Sequence, residues 1–222
     1  NIGVLAIYAA RLSLLLMVQR LQALVIVIIG FGMNGILPFR LGELARIAYA
    51  RQLFAIATPR LLTATAVEKL MDLCALLILG IFASQLVVVP YINKGIATSA
   101  LFVGGLMFAL VFAVLLLAHW KRLNKQIYKW ILEALATLRV QCDRRRIFRL
   151  ALLTFVIWVI TVTSVYWMFA LIFPQFSFPD ACLLTLVLAF AIAVPSAPAG
   201  LGIVEAAIVA YLQQAIQAEA NL

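Results

Sequence analysis

Arg40, Glu43 and Arg46 stand at i, i+3 and i+6 just after Pro38, in a chain that is otherwise mostly apolar. On a helix, residues spaced this way are neighbours on successive turns. Two chemistries fit them. The charges can pair locally at a membrane interface and reach water by snorkelling. Alternatively, Arg40 can hold a lipid phosphate in a wet cavity through its guanidinium fork, helped by the free N–H groups of the helix that begins there. Glu68 and Asp72 lie one helical turn apart and share a face. They can balance Arg40, Arg46 or Arg51, bind a cationic headgroup or carry protons, since charge at membrane depth is costly and usually has a task. Lys69 points to another side. Glu205 has no basic neighbour in sequence; it either caps a helix N-terminus or faces the same cavity.

Other chemistries find no residues to carry them. His119 is the sole histidine, so a histidine relay or a histidine metal site is not expected, and no Ser-His-Asp or Cys-His arrangement can be assembled. Cys74, Cys142 and Cys182 are isolated and lack zinc or disulfide spacing. Gly30-Phe31-Gly32-Met33-Asn34-Gly35 spells GxGxxG, but Ala50 and Arg51 stand where a dinucleotide site needs an acidic residue. Close helix approach is the better reason for such glycines. No cofactor and no metal are expected.

The elements that must position these charges follow from composition. The 222 residues are 67% hydrophobic and 11% charged, whereas a soluble domain is about half apolar and a quarter charged. This predicts an all-α, polytopic integral membrane bundle forming a single membrane domain over residues 1–222. The chain opens inside an apolar run, as a fragment lacking N-terminal helices would. Residues 1–9 read as the tail of a helix leaving the membrane, followed by an interfacial stretch with Arg11 and Arg20. An apolar run from Leu21 to Leu37 stops at Pro38, and a more polar helix follows to Ala57. Thr58-Pro59 starts a new element. Spans are expected over 64–89, 96–118 and 147–173, and the last apolar stretch, 181–212, is interrupted around Pro195 to Gly200.

Net charge is +9, from 17 basic and 8 acidic residues. The basic residues gather in loops, above all between 120 and 149, which marks membrane orientation and not nucleic-acid binding. Contact of that loop with acidic headgroups is the other use it could have. With this loop in the cytoplasm of a plasma-membrane protein, the turn around Pro90 to Lys94 and the 174–180 connection lie outside. The chain is then inside at both Arg20 and Arg60, so residues 21–57 must enter the membrane and return. A hairpin over 181–212 would dip in from the opposite face. Irregular backbone at membrane depth needs protein or water to cover it, so both breaks should line a cavity. Asn34, Pro38 and Gly42 form one break, and Pro195, Pro198, Gly200 and Gly202 the other. Pro38-Phe39-Arg40-Leu41-Gly42 and Pro198-Ala199-Gly200-Leu201-Gly202 share P-x-x-L-G, each followed by a glutamate. Inverted repeats with broken helices are a common transporter architecture.

Taken in order, Asn34-x-x-x-Pro38-x-Arg40-x-Gly42-Glu43-x-x-Arg46, Glu68-x-x-x-Asp72 and Val194-Pro195-x-x-Pro198-x-Gly200-x-Gly202-x-x-Glu205 resemble the transmembrane region of lysylphosphatidylglycerol synthase. This flippase-like domain family includes the N-terminal part of multiple peptide resistance factors. The resemblance implies a domain that moves a phospholipid or lipid-linked headgroup, such as aminoacyl-phosphatidylglycerol, between leaflets. It implies membrane lipids as partners, whether an anionic phospholipid or a polyprenyl-linked lipid. A lipid-modifying enzyme alongside, and association into oligomers, are compatible with it. The headgroup cavity implied is made by Arg40, Glu43, Arg46, Glu68, Asp72 and Glu205. Two departures stand out. Pro198-Ala199-Gly200 replaces the frequent Pro-Gly-Gly, and the soluble aminoacyl-transferase domain is absent from these residues, so lysyl transfer is not assigned. Service as the membrane subunit of a lipid-modifying enzyme is the alternative reading.

Overall fold

The computed structural model describes residues 2–86, 143–193 and 197–220, and every regular element among them is helical. The expected span over 96–118, the Pro90–Lys94 turn, His119, Cys142, Pro195 and nearly all of the 120–149 loop lie outside the described residues. The elements are α1 (Ile2–Leu16), α2 (Arg20–Ile36), α3 (Gly42–Phe54), α4 (Thr58–Leu86), α5 (Arg144–Ala170), α6 (Phe178–Ala193) and α7 (Ile203–Ala220). Among them α5 alone is long and apolar enough to cross a membrane by itself, and α1 with α2 passes the same test as a pair bent by 115°.

The start of the chain departs from the sequence expectation. α1 does not end near residue 9; it runs to Leu16 and carries Arg11 inside the bundle, with no exposed surface. The apolar residues on both sides of Arg11 keep the helix buried, and a left-handed Met17 (φ 49°) ends it. The Arg60 guanidinium then donates to the Leu16 carbonyl, satisfying a helix C-terminus that has no intrahelical partner.

Proline sets both breaks in the same way. The residue before a proline is driven out of the helical region, and Leu37 (φ −89°, ψ 137°) and Ala197 (φ −56°, ψ 163°) are both extended. A single 3₁₀ turn follows in each case, over Pro38–Arg40 and Pro198–Gly200. Its middle residue is left-handed in both, Phe39 at φ 57° and Ala199 at φ 56°. The turn closes with Leu41 N–H donating to the Pro38 carbonyl at 3.3 Å and Leu201 N–H to that of Pro198 at 3.2 Å. Side chains with a Cβ resist this backbone by about 1–2 kcal/mol each, so the surrounding structure must hold it. α3 returns along α2, α7 returns along α6, and the two 3₁₀ turns touch each other.

Apolar packing occurs in two clusters. One joins α1, α2 and α3 to the first turns of α4 at Leu61 and Ala64. The other joins α6 and Tyr211 of α7 to Ala83 of α4 and Val162 and Phe169 of α5. Gly80 allows α4 and α6 to close up, since a Cβ there would stand 2.7 Å from Leu186 Cδ2. The stretch of α4 between the clusters holds Glu68, Lys69 and Asp72.

Candidate functional site

That polar stretch of α4 faces a cavity of about 320 Å³ to which α1 through α6 all contribute. α4 begins at Thr58, six residues before the span expected from Ala64. Glu68 therefore lies about 15 Å along the helix, at 1.5 Å per residue, and not near its end. α2 supplies Gly30 and Asn34, α3 supplies Glu43 and Arg46, and Ala189 to Ile192 close the cavity from the end of α6, next to the second break.

Arg11 is the centre of the charge arrangement. Its Nη2 donates to Glu68 Oε1 at 2.8 Å, and its Nη1 donates to Asp72 Oδ1 at 2.5 Å and to Thr154 Oγ1 at 3.3 Å. The guanidinium also stands 5.1 Å from the centroid of the Tyr8 ring, within cation–π range. Arg46 reaches the other Glu68 oxygen at 3.3 Å and Thr65 Oγ1 at 3.0 Å. Asp72 takes a further bond from the Trp158 indole at 3.2 Å. A buried charge is tolerated when it is paired and its remaining hydrogen-bonding capacity is met. Arg11, Arg46, Glu68 and Asp72 meet both conditions for one another.

A second pair stands apart from this network. Lys69 Nζ contacts Glu43 Oε1 at 2.5 Å, with side chains 42% and 26% exposed. Lys69 thus does not point away; it lines the cavity with Glu68 and Asp72. Across both groups, the cations Arg11, Arg46 and Lys69 match the anions Glu43, Glu68 and Asp72.

Glycine contacts explain how α2 and α3 come this close. A Cβ on Gly30 would meet Arg46 Cδ at 2.9 Å, and one on Gly42 would overlap the backbone and side chain of Asn34. Gly32 and Gly35 meet nothing, so close approach accounts for one glycine of that sequence motif. The Asn34 side-chain oxygen is buried and meets no donor among the described residues.

Of the site residues expected from sequence, Glu43, Arg46, Glu68 and Asp72 come together on the cavity, and Asn34 joins them. Arg40 lies in the first 3₁₀ turn, and its backbone alone is described. Glu205 is exposed and is not among the residues lining the cavity; its carboxylate accepts the Gly202 N–H at 2.6 Å. Of its two sequence readings the structure gives it the capping one, at the first turn of α7. Pro38, Gly42, Pro198, Gly200 and Gly202 lie in or next to the breaks, with Gly200 and Gly202 at φ 75° and 86°. Arg11, Lys69 and Trp158 are the additions. The sequence signal for Arg11 was its setting, a single cation with apolar residues on either side, 57 and 61 positions from its two carboxylates.

No match was found among curated proteins, and none among solved structures. A family model does match, and it covers residues 3–220. The chain belongs to the family described as the lysylphosphatidylglycerol synthase TM region, a family of membrane domains associated with lipid modification.

Proposed function

We propose that this chain is a polytopic domain of the cell membrane that translocates a phospholipid or lipid-linked headgroup between leaflets. The observation that carries the reading is a cavity lined by the cations Arg46 and Lys69 and the anions Glu43, Glu68 and Asp72, with the buried Arg11 paired to two of these carboxylates behind its wall, and closed from α2 and α3 on one side and from the end of α6 on the other. α2 and α6, at 17 and 16 residues, are about 25 Å long, short of the roughly 30 Å hydrocarbon core. That length suits hairpins that enter and return. The shared start of the two breaks, an extended residue before proline and a left-handed second residue after it, supports an inverted repeat, with the 120–149 loop in the cytoplasm and the hairpins entering from opposite faces. A headgroup would cross through the cavity while its acyl chains remain in lipid. A phospholipid or another lipid-linked headgroup is the class of cargo.

Ala189→Trp tests this without disturbing a charge, because Ala189 lines the cavity and is only partly buried. In proteoliposomes, a fluorescent phospholipid should become accessible to an impermeant quencher with the native chain and not with the Trp variant. The family description favours a second reading, a membrane subunit serving a lipid-modifying enzyme. Folded native chain that moves no lipid would select it.

A further inference from the structure

The charges around the cavity are held with very unequal security. Glu68 and Asp72 each receive hydrogen bonds from more than one donor, and these come from three other helices. A ligand would have to break several charge-assisted bonds at once to displace either, in surroundings of low dielectric where an unpaired charge is costly. Glu43 and Lys69 share one contact, and both side chains are partly exposed. Such a pair is weakly held, and a ligand that offers one charge to each can replace it without leaving either unpaired. Asn34 Oδ1 adds an acceptor that is buried and without a donor among the described residues, a condition that favours any ligand supplying an N–H.

We infer that Glu43, Lys69 and Asn34 form the exchangeable headgroup site of the cavity, and that it takes a phospholipid whose phosphodiester is linked to a primary ammonium. The phosphodiester takes the place of Glu43 at Lys69. The ammonium takes the place of Lys69 at Glu43 and donates a further hydrogen bond to Asn34 Oδ1. A quaternary ammonium has no N–H for Asn34, and an anionic headgroup without an amine leaves Glu43 unpaired. The multiply bonded quartet of Arg11, Arg46, Glu68 and Asp72, with Arg11 and Glu68 buried, is the fixed wall behind the site. The lipid nature of the ligand rests on the translocation reading; the headgroup chemistry rests on these three residues.

Native mass spectrometry of the purified chain, offered equal amounts of phosphatidylethanolamine, phosphatidylcholine and phosphatidylglycerol, tests it at equilibrium. Phosphatidylethanolamine should be retained about tenfold over the other two, the scale of one unmade charge-assisted hydrogen bond. Glu43→Gln and Lys69→Met should each erase that preference, and Lys69→Arg should keep it. Equal retention of the three lipids by the native chain overturns the site whether or not any variant folds. So does an undiminished preference in a folded Glu43→Gln protein. Soluble glycerophosphoethanolamine should compete poorly; displacement of the lipid at equal concentration would overturn the lipid as ligand. Headgroup preference without flipping would sink translocation and leave this site standing, and flipping without preference would do the reverse.

Discussion

In the α2–α3 hairpin the Pro38 turn leads into a helix carrying Glu43, Arg46 and Arg51. In the α6–α7 hairpin the Pro198 turn leads into one whose first charge is Glu205. Their backbones begin the turn alike, with a left-handed second residue and a leucine N–H closing onto the proline carbonyl, and part after it, where Gly200 and Gly202 take positive φ and Arg40 and Gly42 do not. The side chains beyond the turn diverge. Arg46 reaches Glu68 and Thr65, so directed polar contacts bolt the first hairpin to α4, while Glu43 leaves its own helix for the weaker contact with Lys69. Glu205 turns back to its own Gly202, and Tyr211 donates to Asp180 within the same hairpin. Contacts between the second hairpin and α4 and α5 run through an apolar cluster. One proline motif thus builds two breaks, and the charges placed after it decide whether, among the described residues, the hairpin is tied to the bundle by directed bonds or by apolar packing. Packing constrains sliding less than charge-assisted hydrogen bonds do.

The largest effect should come from the polar side of this contrast. Arg11→Met leaves Glu68 and Asp72 short of their central partner, at a cost of about 3–5 kcal/mol for a broken buried pair. Most of the protein should be lost from the monodisperse peak on size exclusion in mild detergent. Recovery of native yield would show that Arg46 and Trp158 suffice to hold the carboxylates.

A comparison of the two breaks should give the next effect. Gly42→Ala drives a Cβ into the Asn34 backbone, so the first break must shift, and overpacking of this kind costs roughly 1–3 kcal/mol. Gly202→Ala meets open space but keeps a positive φ, with a strain of about 1–2 kcal/mol. Thermal unfolding should place the Gly42 variant below the Gly202 variant, and the reverse order would mean that the second break is the more tightly held. The smallest change is Tyr211→Phe, which removes the bond to Asp180 and should cost about 1 kcal/mol. A drop in melting temperature as large as that of Gly42→Ala would show that the second hairpin also depends on a directed bond.

The parts of this arrangement that were legible in sequence are those that proline dictates locally. Pro38 and Pro198 force the residue before them into an extended conformation, and Pro59 opens α4, so the hairpin ends and the helix start follow from neighbouring residues. Glu68 and Asp72 share a face for an equally local reason, the helical repeat. What sequence did not disclose was long-range. Arg11 resembles an interfacial stop because a lone arginine at the end of an apolar run usually is one, and only the packing of α1 against α4 and α5 makes it a partner for two carboxylates. Lys69 sits about 100° from Glu68 around the helix, which suggests another side. α3 packs against that side, so Glu43 meets it. Glu205 had two readings, and the choice between them depended on where the α7 N-terminus lies relative to the cavity, which no local pattern records.

The central claim is that the hairpins enter from opposite faces and share one cavity. Sided cysteine labelling tests it most directly. In the full chain, with its own cysteines replaced, Gln52→Cys reports the open end of the first hairpin and Gln175→Cys that of the second; both positions are exposed. An impermeant maleimide applied to intact cells should label position 175 and reach position 52 only after the membrane is opened. Labelling of both positions from the same side would contradict the opposed arrangement, and with it the passage between leaflets that it supports.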